Sequence, residues 1–121
     1  MAVTVYQYPR CSTCRKALSW LDARKVAHGD VDLVAKPPSV PVLRDLWKRS
    51  GLPLARFFNT SGESYRAGGF KDRLATMSDD EALAALAKDG KLVKRPILDT
   101  GKAVRVGFRE AEWDEALSSR R

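Results

Sequence analysis

The sequence predicts an α/β domain. Three observations carry that prediction: a β-branched strand leading straight into an amphipathic helix, a helix-rich middle, and an alternating hairpin before a final helix. The order is β-α-β, then helices, then β-β-α. A chain of 121 residues is expected to form one domain, 1–121, without an internal repeat or a separating linker. With 44% hydrophobic and 31% charged residues it is expected to be soluble and globular rather than disordered.

Val3-Thr4-Val5-Tyr6 reads as the first strand, and Pro9 breaks it. Cys14, Ala17, Leu18 and Leu21 recur at the i, i+3, i+4, i+7 spacing of one helix face. That face turns Cys14 toward the core and leaves Arg15, Lys16 and Ser19 outside. Ser12 or Thr13 is available to cap the helix. A short strand around Gly29 to Leu33 completes a βαβ unit. After the break at Lys36-Pro37-Pro38, Ser39 caps a helix with Leu43, Leu46 and Trp47 inward and Arg44, Asp45, Lys48 and Arg49 wet. Gly51 and Pro53 end it, and Leu54 to Phe58 is apolar enough for burial. Asn59 to Gly69 reads as a loop with at most a short helix around Tyr65. Ser78-Asp79-Asp80-Glu81 is a capping box, opening a helix whose apolar face is Ala82, Leu83, Leu86 and Ala87. Gly90 stops it. Arg95-Pro96-Ile97-Leu98 leads into a strand, Asp99 to Lys102 turns, and Ala103 to Val106 returns as a hairpin. The last helix carries Trp113 and Leu117.

The net charge is +7 and the sequence pI about 9.7. Such a balance speeds encounters with anions of any size. Lys and Arg are spread along the chain and no nucleic-acid motif is present, so direct nucleic-acid binding is not expected. Ser118 to Arg121 reads as a frayed tail. No apolar run reaches the ~20 residues of a membrane span. Met1 to Tyr6 shows no basic-then-apolar leader. A cytoplasmic location with no membrane partner is the expectation. Two cysteines and one histidine exclude an all-Cys/His four-ligand zinc site within one chain, and a disulfide-dense secreted scaffold. No metal is expected. His28 reads as a surface residue, and Trp20, Trp47 and Trp113 as packing. Ser61-Gly62-Glu63-Ser64 and Gly68-Gly69 match no phosphate loop.

Cys11-Ser12-Thr13-Cys14 is the motif with chemistry. A free thiol is only about 3% ionised at pH 7. At a helix N-terminus, orphan N–H groups and the helix dipole favour the thiolate. Arg10 and Arg15 add positive potential, with Arg95 a further candidate. Cys14, one turn on, is placed to close a disulfide with Cys11. Exposed Cys11 is the expected attacking sulfur and buried Cys14 the resolving one. In Arg95-Pro96, proline before a strand is compatible with a cis bond or with a simple strand start.

The chain resembles the ArsC/Spx family, the arsenate-reductase-related proteins of bacteria. The resemblance rests on Tyr8-Pro9-Arg10-Cys11-Ser12-Thr13-Cys14-Arg15-Lys16-Ala17, Phe58-Asn59-Thr60-Ser61-Gly62 with Tyr65, Lys94-Arg95-Pro96-Ile97, and Val106-Gly107-Phe108. It implies a thioredoxin/glutaredoxin-like α/β fold with an inserted helical subdomain, here approximately residues 38–90. It implies Cys11 as nucleophile, Arg95 as the anion-stabilising arginine and Pro96 as a cis proline. Cys11, Cys14 and Arg95 form the expected catalytic set. Ser12, Thr13, Arg15, Asn59 and Pro96 are the residues expected to hold an anion or thiol substrate. Arsenate reductases of this type carry an arginine where this chain has Asn59. They carry another near Gly107-Phe108, where only Arg105 and Arg109 are at hand. The CxxC is like that of Spx, a redox-sensing regulator that binds RNA polymerase, but the longer Spx C-terminal extension is missing. The chain therefore looks most like a Spx-like or YffB-like branch. The expected activity is thiol–disulfide oxidoreduction with no bound cofactor, and with glutathione, glutaredoxin or thioredoxin as reducing partner. A Spx-like regulator that binds RNA polymerase and a true arsenate reductase are the alternatives.

Overall fold

The computed structural model describes residues 3–118. In chain order its elements are β1 (Thr4–Gln7), α1 (Ser12–Ala23), β2 (Gly29–Asp32), α2 (Val40–Ser50), α3 (Glu63–Ala67), α4 (Phe70–Arg73), α5 (Asp79–Lys88), β3 (Ile97–Asp99), β4 (Val104–Val106) and α6 (Glu110–Ser118). Tight 3-10 turns cover Leu54–Phe57 and Gly90–Leu92. Ser118 closes α6. The rest of the expected tail (Ser119, Arg120 and Arg121) lies outside the described residues, as do Met1 and Ala2. Among the described residues no helix is long and apolar enough to cross a membrane.

Contacts divide the chain into two compact units. One holds the residues up to Asp32 and from Arg95 onward; the other is Leu33–Lys94.

The first unit is built on a sheet of order β2-β1-β3-β4. β1 pairs β2 in parallel, as a βαβ unit requires, while β1–β3 and β3–β4 are antiparallel. Val5 sits opposite both Asp30 and Leu98 and is fully buried. Alternation along β1 buries Val5 and Gln7 on one face. Val3, Val5, Ala17, Leu21, Leu98, Trp113, Ala116 and Leu117 form one core cluster joining β1, α1, β3 and α6. Each large apolar side chain so buried contributes ~1.5–3 kcal/mol before conformational entropy is counted. The Trp113 indole donates to the Gly107 carbonyl at 2.9 Å, so its one polar group is satisfied inside. In the β3–β4 turn the Asp99 carboxylate accepts from the Gly101 N–H at 2.8 Å, and the buried Thr100 hydroxyl accepts from Ala103 N–H at 3.0 Å. Gly101 takes φ of 90°, a value open to glycine.

His28 corrects the surface reading. Its side chain is only 10% exposed, clasped between Asp30 (Nδ1 to Oδ1, 2.6 Å) and Asp22 (Nε2 to Oδ1, 3.0 Å). Both ring nitrogens face carboxylate oxygens, so only the imidazolium donates to both. Burial works against the charge, but the Asp22 and Asp30 hydrogen bonds and charges outweigh it and raise the pKa. A raised folded pKa contributes stability that is full below the unfolded value, about 6.5, and fades as pH rises through the folded value. His28→Gln is therefore expected to lower the melting temperature more at pH 6 than at pH 9, read by calorimetry at both pH values. An equal loss at both would contradict the clasp.

In the second unit Ser39 caps α2, its hydroxyl accepting from Val42 N–H at 3.4 Å, and Gly51 at φ 71° ends it. Leu43 and Leu46 are buried, and α2 packs on α5. The capping box is complete: Glu81 N–H donates to the Ser78 hydroxyl at 3.1 Å, and Ser78 N–H to the Glu81 carboxylate at 3.0 Å. Its helix stops at Lys88, two residues short of the expected glycine. Phe58 and Val93 form an isolated antiparallel bridge, with Asn59 N–H donating to Leu92 O and Lys94 N–H to Phe57 O, both at 2.8 Å. The short helix around Tyr65 is present as α3, whereas α4 and the turn at Gly90 were not expected from the sequence. Phe70 anchors α4, buried 5.6 Å from the Phe58 ring with the Arg73 guanidinium 4.6 Å over it.

Candidate active site

The loop between β1 and α1 brings the motif together. Pro9 and Arg10 turn the chain, and Cys11 N–H donates to the Tyr8 carbonyl at 2.9 Å. Helical geometry begins at Ser12, so Cys11 itself is the N-cap. This corrects the expectation that Ser12 or Thr13 caps. The Cys11 Sγ accepts from the Cys14 N–H at 3.3 Å, a place usually filled by an oxygen. Ser12, Thr13 and Arg15 are exposed on the first turn.

Cys11 is half-buried, Cys14 fully buried, and both are free thiols. Burial alone would raise the Cys11 pKa. The Cys14 thiol and N–H, the Arg95 hydrogen bond and the Arg95 charge outweigh it and hold the value below that of an ordinary thiol. Cys14 moves the opposite way, pushed up to about 12, first by burial and then by its bond to Cys11 and the charge of that neighbour. The two sulfurs are thus shifted in opposite directions, Cys11 toward easier ionisation and Cys14 toward keeping its proton.

Arg95 comes from the far end of the chain. Its peptide bond to Pro96 is cis, and Pro96 is buried at the entry to β3. Its guanidinium lies 5.1 Å from the centre of the Tyr8 ring. Tyr8 also hydrogen-bonds through its backbone to Cys14. Sequence reasoning did not assign Tyr8 a role; an aromatic residue three before a CxxC is a signal only once Arg95 is known to be near. Tyr8→Leu removes the cation–π platform, worth ~0.5–1 kcal/mol. The apparent pKa of Cys11 alkylation, read from the pH profile with iodoacetamide, is expected to rise in Tyr8→Leu and to stay in Tyr8→Phe. Equal profiles for all three proteins would remove Tyr8 from the site.

Arg10 and Arg15 are exposed, and the cation that bonds Cys11 is Arg95. Asn59 belongs to the second unit. Arg105 and Arg109, the candidates for a second anion-binding arginine, are turned to α6: Arg105 lies 3.7 Å from Glu115, and Arg109 lies 3.9 Å from Glu112. Among the described residues no group of three or more His, Cys, Asp or Glu side chains could hold a metal.

The chain is 45% identical over 115 residues to the uncharacterized protein YusI of Bacillus subtilis, covering 95% of this chain and 98% of that one. An arsenate reductase of Neisseria meningitidis is 33% identical over 103 residues, covering 84% of this chain and 86% of the relative. The global transcriptional regulator Spx of Listeria monocytogenes is 23% identical, covering 98% of this chain and 88% of the relative. A solved structure of an ArsC-family-related protein from Bacteroides fragilis superposes with a TM-score of 0.91 at 42% identity, covering 95% of this chain and 97% of that one. The fold is the thioredoxin/glutaredoxin-like α/β fold of such proteins. The family model for ArsC matches residues 6–116, from β1 into α6, and the chain belongs to the ArsC family.

Proposed function

We propose that the protein is a thiol–disulfide oxidoreductase whose attacking group is Cys11. One observation supports this above the others: the Cys11 sulfur receives donors from Cys14 and Arg95 while Cys14 is held protonated beside it. In the proposed cycle the Cys11 thiolate attacks a glutathione-linked disulfide at the glutathione sulfur. A Cys11–glutathione disulfide forms and the substrate thiolate leaves. Cys11 is then neutral, so two of the influences that hold the Cys14 proton, the bond to Cys11 and its charge, are gone. Cys14 gives up its proton to the departing glutathione thiolate and attacks Cys11. The Cys11–Cys14 disulfide that results carries the two oxidising equivalents. A glutaredoxin- or thioredoxin-type dithiol, or two glutathiones, returns the electrons. Ser12, Thr13, Arg15 and Pro96, all of the first unit, are the proposed contacts to the anionic or thiol substrate, and the cytoplasm, where such reductants are kept reduced, is the proposed compartment.

The test is a titration against glutathione redox buffers, with intact mass read after thiol trapping. A cooperative loss of two hydrogens at one poise is the expected result, near the about −270 mV of reducing dithiols. A stable glutathione adduct on Cys11 without closure would leave Cys14 as packing only. Two thiols at every poise would overturn the reading.

A second reading is a Spx-like switch that meets RNA polymerase, supported by the Spx relative. Cys11→Ser separates the two. An enzyme loses turnover, whereas a switch keeps one fixed level of polymerase binding. Arsenate reduction is the narrower form of the first reading. With Arg105 and Arg109 beside carboxylates of α6, Arg95 and exposed Arg15 are the arginines left for its anion, which argues for a larger thiol substrate over a small oxyanion.

A further inference from the structure

The outer face of α1 carries an open groove of about 560 Å³, of whose lining only Ser12 and Arg15 have a part in the proposed thiol chemistry. Trp20 and Phe108 form its apolar floor, their rings edge to face at 5.7 Å. The floor is braced from behind. The Trp20 indole donates to Glu110 Oε1 at 3.1 Å, the Arg24 guanidinium stacks 4.1 Å over the same ring, and Phe108 rests on buried Trp113 at 5.0 Å. Glu110, the groove's one acid, is therefore already occupied. Arg15 and Lys16 are the groove's cations, and their exposed side chains make no ion pair or hydrogen bond with any described residue.

Shape and charge specify a complement. A bound segment needs carboxylates for Arg15 and Lys16 and an apolar or aromatic side chain for the floor. From Ser12 to Trp20 the helix rises ~12 Å, the reach of about three to four extended residues. Ser12, at one end of the groove's lining, follows the N-cap Cys11 directly in the chain.

We propose that this groove seats an acidic segment of a protein substrate, with its disulfide-bonded cysteine at Cys11, its carboxylates on Arg15 and Lys16, and an apolar side chain on Trp20 and Phe108. The proposal rests on the oxidoreductase reading and deepens it by naming the substrate class. It also assigns the basic charge a place to act.

The test uses two cysteine peptides, each as a mixed disulfide with thionitrobenzoate. One carries Asp-Glu-Phe after the cysteine and the other Lys-Lys-Phe. Thionitrobenzoate is the better leaving group, so in this probe the Cys11 thiolate attacks the peptide sulfur, rather than the partner sulfur as in the glutathione-linked cycle, forming the Cys11–peptide disulfide and releasing yellow thionitrobenzoate. The quantity read is the ratio of the acidic to the basic peptide's rate in each protein, so that changes in Cys11 reactivity cancel. At low salt the ratio is expected to be at least tenfold in the natural sequence. It is expected to fall to twofold or less in Arg15→Gln with Lys16→Glu, and to persist in Lys102→Glu, a reversal in the β3–β4 turn. An equal fall in both variants would show a diffuse effect of net charge and overturn the groove, as would no fall in either. Titration of the natural protein by NMR with the acidic peptide, serine replacing its cysteine, gives an arm that needs no variant. The Trp20 indole N–H and the Lys16 and Ser19 amides are expected to shift, and shifts confined to other faces would overturn the proposal. Should every disulfide prove inert while these signals still move, the seat stands and the oxidoreductase reading falls.

Discussion

Cys11→Ser is expected to bring thiol turnover down by ~10³-fold or more while leaving the fold at least as stable. A serine hydroxyl is not ionised at neutral pH, and the described residues that bond this position, Cys14 and Arg95, supply no general base to activate it. The stability half of the expectation follows from the position. Cys11 is the N-cap of α1, with φ −87° and ψ 118°, and its side chain accepts from the Cys14 N–H. Serine is among the preferred caps, so the exchange keeps or improves that bond within ~1 kcal/mol. Steady-state reduction of hydroxyethyl disulfide and thermal unfolding on the same sample check both halves. Retained turnover would show that another group attacks. A large fall in melting temperature would show that the sulfur does more for the fold than cap the helix.

Gly90→Ala is expected to cost ~3 kcal/mol or more, beyond what repacking around one methyl normally costs. A Cβ at this position would fall inside the van der Waals sphere of the Leu33 carbonyl oxygen, with the Val34 Cα 3.0 Å away. Both obstacles are backbone, so no side chain can rotate aside. The residue also opens the 3-10 turn leading to the Phe58–Val93 bridge, which places the strain where the second unit closes on itself. For a chain of this size the loss corresponds to a melting temperature lower by about 10 °C. Gly29→Ala is the control. Nothing lies within 4 Å of its Cβ, and a change within ~0.5 kcal/mol is expected. Urea unfolding of the two variants side by side decides the matter, and equal midpoints would contradict the close approach.

The parts of this molecule legible in its sequence are those set by local chemistry. The inward turn of Cys14 follows from its spacing with Ala17 and Leu21, and all of them are fully buried. Ser39 and the Ser78–Glu81 box mark helix starts because a side-chain oxygen must satisfy orphan N–H groups there. What escaped the sequence depends on distant meetings. Tyr8 and Arg95 stand at opposite ends of the chain, and only the β1–β3 pairing brings their strands together. His28 looked isolated. Its partners at Asp22 and Asp30 converge because the chain reverses after α1, where Lys25 takes φ of 58°. The four residues of α4 and the three of the Gly90 turn are shorter than a periodic signal. Cys11 does not stand out as a cap because Ser and Thr beside it fill that place more often.

That cap joins chemistry to mechanics. The lone pair that receives the Cys14 N–H sits on the atom proposed to attack in each turnover. A thiolate is a strong acceptor, and a disulfide sulfur is a weak one. In the proposed cycle, oxidation is therefore expected to loosen the opening turn of α1 as Cys14 is drawn into the bond, and reduction to fasten it again. On that reading the Cys14 amide is a built-in gauge, expected to exchange its hydrogen slowly in the reduced protein and faster in the oxidised one. The redox state can be followed from that single proton, with no added dye, substrate or partner.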